Sequence, residues 1–177
     1  MIEIRTPLGD EVLDLRAGDL LTLSGRIYTA RDEAHLRMIE EGIPFDPRGA
    51  VIYHCGPIVE GTRIVAAGPT TSARMNRFAG FLLDAGIRAF IGKGGMSPQV
   101  VEQLRGRAVY LAFTGGCAAL AAARMRYAGI YFEDLGMAEA VWAFDLDAFP
   151  LTVGIDAYGG DLFGDVLARA RRRCPNP

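Results

Sequence analysis

The feature that most constrains this chain is a repeated junction. A short apolar run ends, small or hydroxylated residues follow, and a segment of helical spacing begins. The junctions are "YTARDEAH", "GPTTSAR", "GKGG" and "TGGCAA". Strands that alternate with helices imply parallel pairing with right-handed crossovers, and therefore an α/β class. In such a sheet the junctions gather at the carboxyl ends of the strands, the edge where ligands bind. Each helix start also presents unpaired N–H groups and a partial positive charge, which suits an anion.

Along the chain, "IEIRTPL" and "DLLTLSGRIYTA" read as strands, and "RDEAHLRMIEEG" as a helix closed by Gly42. "AVIYHCGP" and "TRIVAAGP" read as strands that each stop at Gly-Pro. "TTSARMNRFAGFLLDAG" has helical spacing through Met75, Phe78, Ala79, Leu82 and Leu83, and Gly86 stops it. "IRAFI" is a strand, and "SPQVVEQLRG" a short helix with Ser97 as its N-cap and Pro98 in its first turn. "RAVYLAF" is a strand, "TGGCAALAAARMRYAG" opens a helix, "VWAFDLDAFPLTVGIDA" gives two strands around Pro150, and "DLFGDVLARARRR" is a terminal helix. Strand-rich ends flank a strand–helix centre, so the expectation is a layered α/β domain, with residues 1–177 as one unit.

Several function classes drop out. A net charge of -2 gives no basic face for nucleic acid, and Arg171 to Arg173 read as a solvated helix end. No apolar run approaches the ~20 residues of a membrane span, and the N-terminus carries no secretory h-region. Cys55, Cys117 and Cys174 are isolated, so they read as small buried hydrophobes, and a cytoplasmic compartment is expected.

The site candidates come from the junctions. In "GPTTSAR", Thr71 and Ser72 read as helix caps. Thr70 and Arg74 are four apart and share a face if helical geometry reaches back that far. A hydroxyl beside a guanidinium suits a carboxylate, which Arg binds as a bidentate fork. Arg31 stands at a helix start, where a cation costs ~0.3–1 kcal/mol. It therefore needs a partner: Asp32, Glu33 or a ligand. His35 and His54, the two histidines, could each be a base, a metal ligand or a hydrogen-bonded structural residue. Glu133, Asp134 and Glu139 read as solvated or helix-capping carboxylates rather than an acid–base pair, and Trp142 as core. Lys93 is the only lysine beside 18 arginines, and it stands between Gly92 and Gly94. "GKGG" lacks P-loop spacing. A single retained lysine points to a site that needs a compact charge rather than a planar fork.

"GDLLTLSGRIYTARDEAH", "YHCGP", "AAGPTTSARM", "IGKGGM", "TGGCAAL", "EDLGMAEAVW" and "VGIDAYGG" together, in this order, resemble the beta subunit of the iron–sulfur class I fumarases and L(+)-tartrate dehydratases. The resemblance covers roughly Gly18 to Gly160. It implies a swivelling β/β/α domain and reversible dehydration of a hydroxy-dicarboxylate, such as malate to fumarate or tartrate to oxaloacetate. It also implies a four-iron–four-sulfur cluster carried by a partner alpha subunit, with this chain holding none and inactive alone. Residue by residue, it gives Arg31 and Arg74 as carboxylate-binding arginines. Thr70 becomes the base at C3 and Lys93 the active-site lysine. Cys55 and Cys117 receive no role. A symmetric assembly of alpha–beta pairs is implied. The other class of reading is a stand-alone dicarboxylate-binding module.

Overall fold

The computed structural model describes residues 1–173, so Cys174 lies outside the described residues. In chain order the strands are β1 (Ile2–Arg5), β2 (Leu20–Thr29), β3 (Val51–Tyr53), β4 (Ile58–Glu60), β5 (Arg63–Ala66), β6 (Ala89–Gly92), β7 (Val109–Ala112), β8 (Met125–Tyr131) and β9 (Val141–Ile155). The helices are α1 (Asp32–Glu41), α2 (Ala79–Ala85), α3 (Pro98–Leu104), α4 (Ala118–Ala122) and α5 (Leu162–Arg173). None is long and apolar enough to cross a membrane.

The parallel expectation holds in the centre of the sheet: β1–β2, β2–β3, β3–β6 and β6–β7 all pair parallel. β9 then pairs antiparallel with both β7 and β2, which closes the ring β2–β3–β6–β7–β9. β8 extends the antiparallel side along β9.

Period-two alternation divides the core. Val51, Tyr53, Ala89, Ile91, Val109 and Leu111 point into the ring, where they meet Leu21, Leu23, Phe144 and Phe149. Ile52, Phe90 and Tyr110 point the other way, onto Met38 of α1, Leu82 of α2 and Leu104 of α3. Strands buried on both faces explain the unbroken apolar runs "VIY", "AFI" and "VYL". The layers are therefore β, β and α. Each fully buried large side chain contributes about 1.5–3 kcal/mol.

Four local readings are corrected. "TRIVAAGP" is not in the main sheet: β5 pairs only with β4, in a hairpin turned at Gly61–Thr62. "RMRYAG" is not helical. α4 stops at Ala122, and Met125 and Tyr127 face the core in β8 while Arg126 is exposed. Alanine's helix propensity yields there to pairing with β9. The helix over residues 72–85 is mixed, a 3-10 segment (Ser72–Phe78) followed by α2. The two late strands are one: β9 continues through Pro150, which pairs with Thr22. Pro150 falls where β9 has left β8 and has not yet reached β7, so on that side no ladder bond is lost. Beside it β9 bends at Ala148, φ 46°, whose N–H goes to the Ser24 hydroxyl at the bulge in β2.

The helix-side core also encloses both histidines, each 1% exposed. His35 stacks on Phe78 at 4.9 Å, and His54 lies 5.9 Å from His35 and 5.7 Å from Phe90. Burial pushes His35 down to about 4 and His54 well below its ordinary value, so both imidazoles are neutral at pH 7. Neither ring nitrogen of His35 makes an aligned hydrogen bond to the described residues, and the Arg31 backbone only partly offsets the effect of burial.

Phe149 is fully buried, with Phe113 at 4.6 Å and Tyr53 at 6.2 Å. Phe149→Ala should cost about 3–5 kcal/mol in urea unfolding, whereas Val166→Ala, on the exposed face of α5, should stay within about 0.5 kcal/mol. The histidines add a pH term. Between pH 6.5 and about 4 the unfolded chain binds a proton at His35 that the native chain refuses, so stability falls as pH falls. The His35 share lost between pH 7.5 and pH 5 is about 2 kcal/mol. His35→Leu should flatten the urea-midpoint curve by that amount, and an unchanged slope would contradict a buried neutral His35.

Candidate active site at the carboxyl ends of the parallel strands

β2, β3, β6 and β7 run in one direction, so Arg31, His54, Lys93 and Thr114 follow their carboxyl ends on one edge. The chain from Cys55 to Pro69 leaves through the β4–β5 hairpin and returns as an antiparallel bridge between those two residues. Residues 70–72 then slot between the ends of β3 and β6. The Thr70 N–H donates to the His54 carbonyl at 2.7 Å, and the Lys93 N–H donates to the Thr70 carbonyl at 3.2 Å. The Ser72 N–H donates to the Lys93 carbonyl at 3.1 Å.

Thr70 and Lys93 therefore share a ladder, and Thr71 and Lys93 form a parallel bridge. This arrangement corrects two expectations. Helical geometry begins at Ser72, so Thr70 and Arg74 do not share a helix face. Thr71 makes no side-chain cap, and the Ser72 hydroxyl turns inward to His54 and Tyr110.

Arg31 is the N-cap of α1 and caps nothing with its own side chain. Its partner is neither neighbour but Glu139, at 3.2 Å from Nε, and it is an ion pair rather than an aligned hydrogen bond. The other Glu139 oxygen accepts the Glu33 N–H at 3.1 Å. One remote carboxylate thus supplies the missing cap and neutralises a cation that the helix dipole disfavours. Glycine at 56 makes room: a Cβ there would lie 2.7 Å from Arg31 Nη1 and from the Ala138 carbonyl. Arg74 is held by Asp32, the residue after Arg31, which draws the two guanidiniums to the same helix mouth.

Lys93 is exposed and forms no ion pair among the described residues, so its charge is uncompensated. Its stem runs along the "TGG" loop, with Cδ 3.5 Å from where a Cβ of Gly115 would be. Lys93, Gly94, Phe113, Thr114 and Phe163 line an open depression of about 330 Å³. The glycines around Lys93 have separate reasons. Gly92 abuts Ser72, Gly94 needs a left-handed backbone at φ 74°, and Gly95 packs on Phe163.

The remaining candidates fall away from this edge or are structural. Both histidines are buried and neutral. Asp134 pairs with Arg37, and Trp142 is 7% exposed with its indole N–H on the Met137 carbonyl at 2.8 Å. In "VGIDAYGG", burial would raise the Asp156 carboxyl, but bonds from the Ala17, Gly160 and Tyr158 N–H groups hold it below its usual range. Cys55 lies in the ring core, where burial pushes its thiol up, which makes it a poor thiolate ligand. No grouping of three metal-ligating side chains occurs among the described residues. Glu139 as the anchor of Arg31, Asp32 as the anchor of Arg74, and the inward Ser72–Tyr110 contact carry no local sequence signal.

An edge with three cations, a hydroxyl and two anchoring carboxylates is suited to a small ligand with more than one carboxylate. Several known proteins are similar to this chain along most of its length. Residues 1–166 match the family model described as Fumarase C-terminus. A putative L(+)-tartrate dehydratase subunit beta of Methanocaldococcus jannaschii is 44% identical over 170 residues, covering 88% of this chain and 87% of the relative. The L(+)-tartrate dehydratase subunit beta of Escherichia coli is 37% identical over 173 residues, covering 92% and 86%. A putative fumarate hydratase class I of Geobacillus stearothermophilus is 34% identical over 175 residues, 94% of this chain but 34% of that longer protein. The chain belongs to the fumarase C-terminus family.

Proposed function

We propose that this chain is the beta subunit of a heteromeric iron–sulfur hydro-lyase that interconverts fumarate and malate. It would act in the cytoplasm, and only when joined to its alpha subunit. The observation that carries this reading is the gathering of Arg31, Arg74, Lys93 and Thr70 on one sheet edge. L(+)-tartrate, giving oxaloacetate, is the second substrate reading. It is favoured by relatives of that name that match along 86–87% of their own length.

In this reading the four-iron–four-sulfur cluster is carried by the alpha subunit, and the beta chain contributes cations and a hydroxyl. Arg31 and Arg74 offer planar forks to the substrate carboxylates. Lys93 offers a point charge. When the C3 proton leaves, negative charge builds on the neighbouring carboxylate as an aci-carboxylate. Fixed cations that already face that position stabilise it without reorganising. Thr70, whose carbonyl accepts the Lys93 N–H, is assigned the proton at C3. A threonine hydroxyl is a poor base, so its activation falls to a carboxylate of the alpha subunit. Closure of this domain over the substrate, as a swivelling unit, would exclude water from the edge.

Co-expression with the alpha subunit under anaerobic conditions should give dehydration of malate, of L(+)-tartrate, or of both. Loss of neither substrate while the cluster is intact would sink the assignment, and dicarboxylate binding by the isolated chain would then favour a binding module. Thr70→Ala should lower kcat by about 100-fold or more, with assembly unchanged. Lys93→Arg keeps the charge but alters its shape and reach. It should fold, assemble and lose at least about ten-fold in kcat, and full activity would remove any need for lysine.

A further inference from the structure

We propose that His54, Ser72 and Tyr110 form a buried positioning chain that fixes the peptide carrying Lys93. The His54 Nδ1 lies 2.8 Å from the Ser72 hydroxyl, which lies 3.0 Å from the Tyr110 hydroxyl. The Tyr110 hydroxyl in turn lies 2.8 Å from the Gly94 carbonyl. All three side chains are 0–1% exposed.

Proton counting orders the chain. The Gly94 carbonyl can only accept, so the single Tyr110 proton goes to it. Ser72 must then donate to the Tyr110 oxygen, and the proton on the remaining contact must come from His54. The direction is His54 Nδ1–H to Ser72, Ser72 to Tyr110, and Tyr110 to Gly94. This is the one arrangement in which each short contact holds one proton, and it requires a proton on His54 Nδ1. Burial favours the neutral ring, so that proton marks the Nδ1–H tautomer.

The chain ends where the site begins. Gly94 follows Lys93, so Tyr110 holds the peptide on one side of the lysine. The Ser72 N–H and the Thr70 carbonyl hold the Lys93 carbonyl and N–H on the other. Glycine at 92 is part of the device, because a Cβ there would lie 1.8 Å from the Ser72 hydroxyl and 3.2 Å from His54 Nδ1. Apolar side chains would fill this space without any need to satisfy buried polar atoms. A chain of three polar groups drawn from three separate segments is explained by what it holds. Among the described residues nothing binds the Lys93 ammonium or the Thr70 hydroxyl, while their backbones are fixed, which is the preorganisation that a charge-stabilising site requires.

The catalytic part of this inference rests on the hydro-lyase reading, and the hold on Lys93 does not. Residue-resolved amide hydrogen exchange on the full chain tests the hold. Tyr110→Phe keeps the ring and deletes the hydroxyl. It should speed exchange at the Lys93 and Ser72 amides at least ten-fold, leaving the β2–β9 amides within two-fold. Ser72→Ala should do the same at Lys93, and the double variant should be no worse than either single one, since the chain is broken once. With the alpha subunit, each variant should lose about ten-fold in kcat with KM within three-fold. Exchange at Lys93 and Ser72 within two-fold of wild type in both variants would overturn the proposal. A general rise across β7 and β9 would overturn it too, as the mark of a merely structural role. No dehydration of malate or of L(+)-tartrate by the wild-type assembly would instead overturn the hydro-lyase reading, while the exchange data would still decide the hold on Lys93.

Discussion

The pairing of β2 with β9 is the constraint on which the rest of the structure depends. It joins segments more than a hundred residues apart, Leu20 with Thr152 and Tyr28 with Ala143. Without it the parallel strands would form an open sheet with one apolar face uncovered. With it the ring closes, and Phe144, Phe149 and Leu151 cover the inner face of β3, β6 and β7. The helices then cover the outer face, and the short central strands are clamped on both sides. Three- and four-residue strands gain little from their own ladders, so their rigidity comes from this enclosure.

That rigidity is exported at the carboxyl edge. β3 and β6 would end in unpaired backbone groups, and buried groups of that kind must find partners. Residues 70–72 provide them, so the edge is finished by a segment that carries the candidate hydroxyl and touches the candidate lysine. The site is in this sense a continuation of the sheet. The arginines are fixed differently, by single carboxylates. Glu139 reaches across from the loop before β9, and Asp32 reaches from the first turn of α1. Each anchor is partly shielded from water, which makes it worth more than an exposed surface pair.

Legibility in the sequence followed the range of the interaction. Unbroken apolar runs such as "VIY" and "AFI" and the Ser97 cap are local, and the strands and helix they imply are present. The α/β class and the gathering of junctions on one edge follow from alternation alone. What was hidden was nonlocal. "RMRYAG" has a mixed propensity, and only β9 beside it decides for a strand. Pro150 looks like a strand breaker until the change of partners along β9 shows that its missing N–H costs nothing on that side. Arg31 could be read as a cation in need of a partner. That the partner is Glu139, and that it also caps the helix, depends on a loop brought there by the closed ring. The inward turn of Ser72 was hidden for the same reason, since its partners lie far along the chain, His54 just past β3 and Tyr110 on β7.

The single lysine is best understood against the two arginines beside it. A guanidinium is a planar fork and is held in place by a carboxylate that fits it, as Asp32 fits Arg74. Lys93 has no such carboxylate among the described residues, and its neighbours in the chain, Gly92 and Gly94, have no side chain to brace a plane. An arginine there would be a longer, planar fork with no carboxylate among the described residues to hold it. A lysine needs less support, because its charge is compact and its position is set mainly by where its backbone is held. The backbone at 93 is held on both sides, by Thr70 and Ser72 through the ladder and by Tyr110 at Gly94. The residue type and the hydrogen bonds beneath it are two parts of one solution for placing a positive charge at the mouth of the sheet.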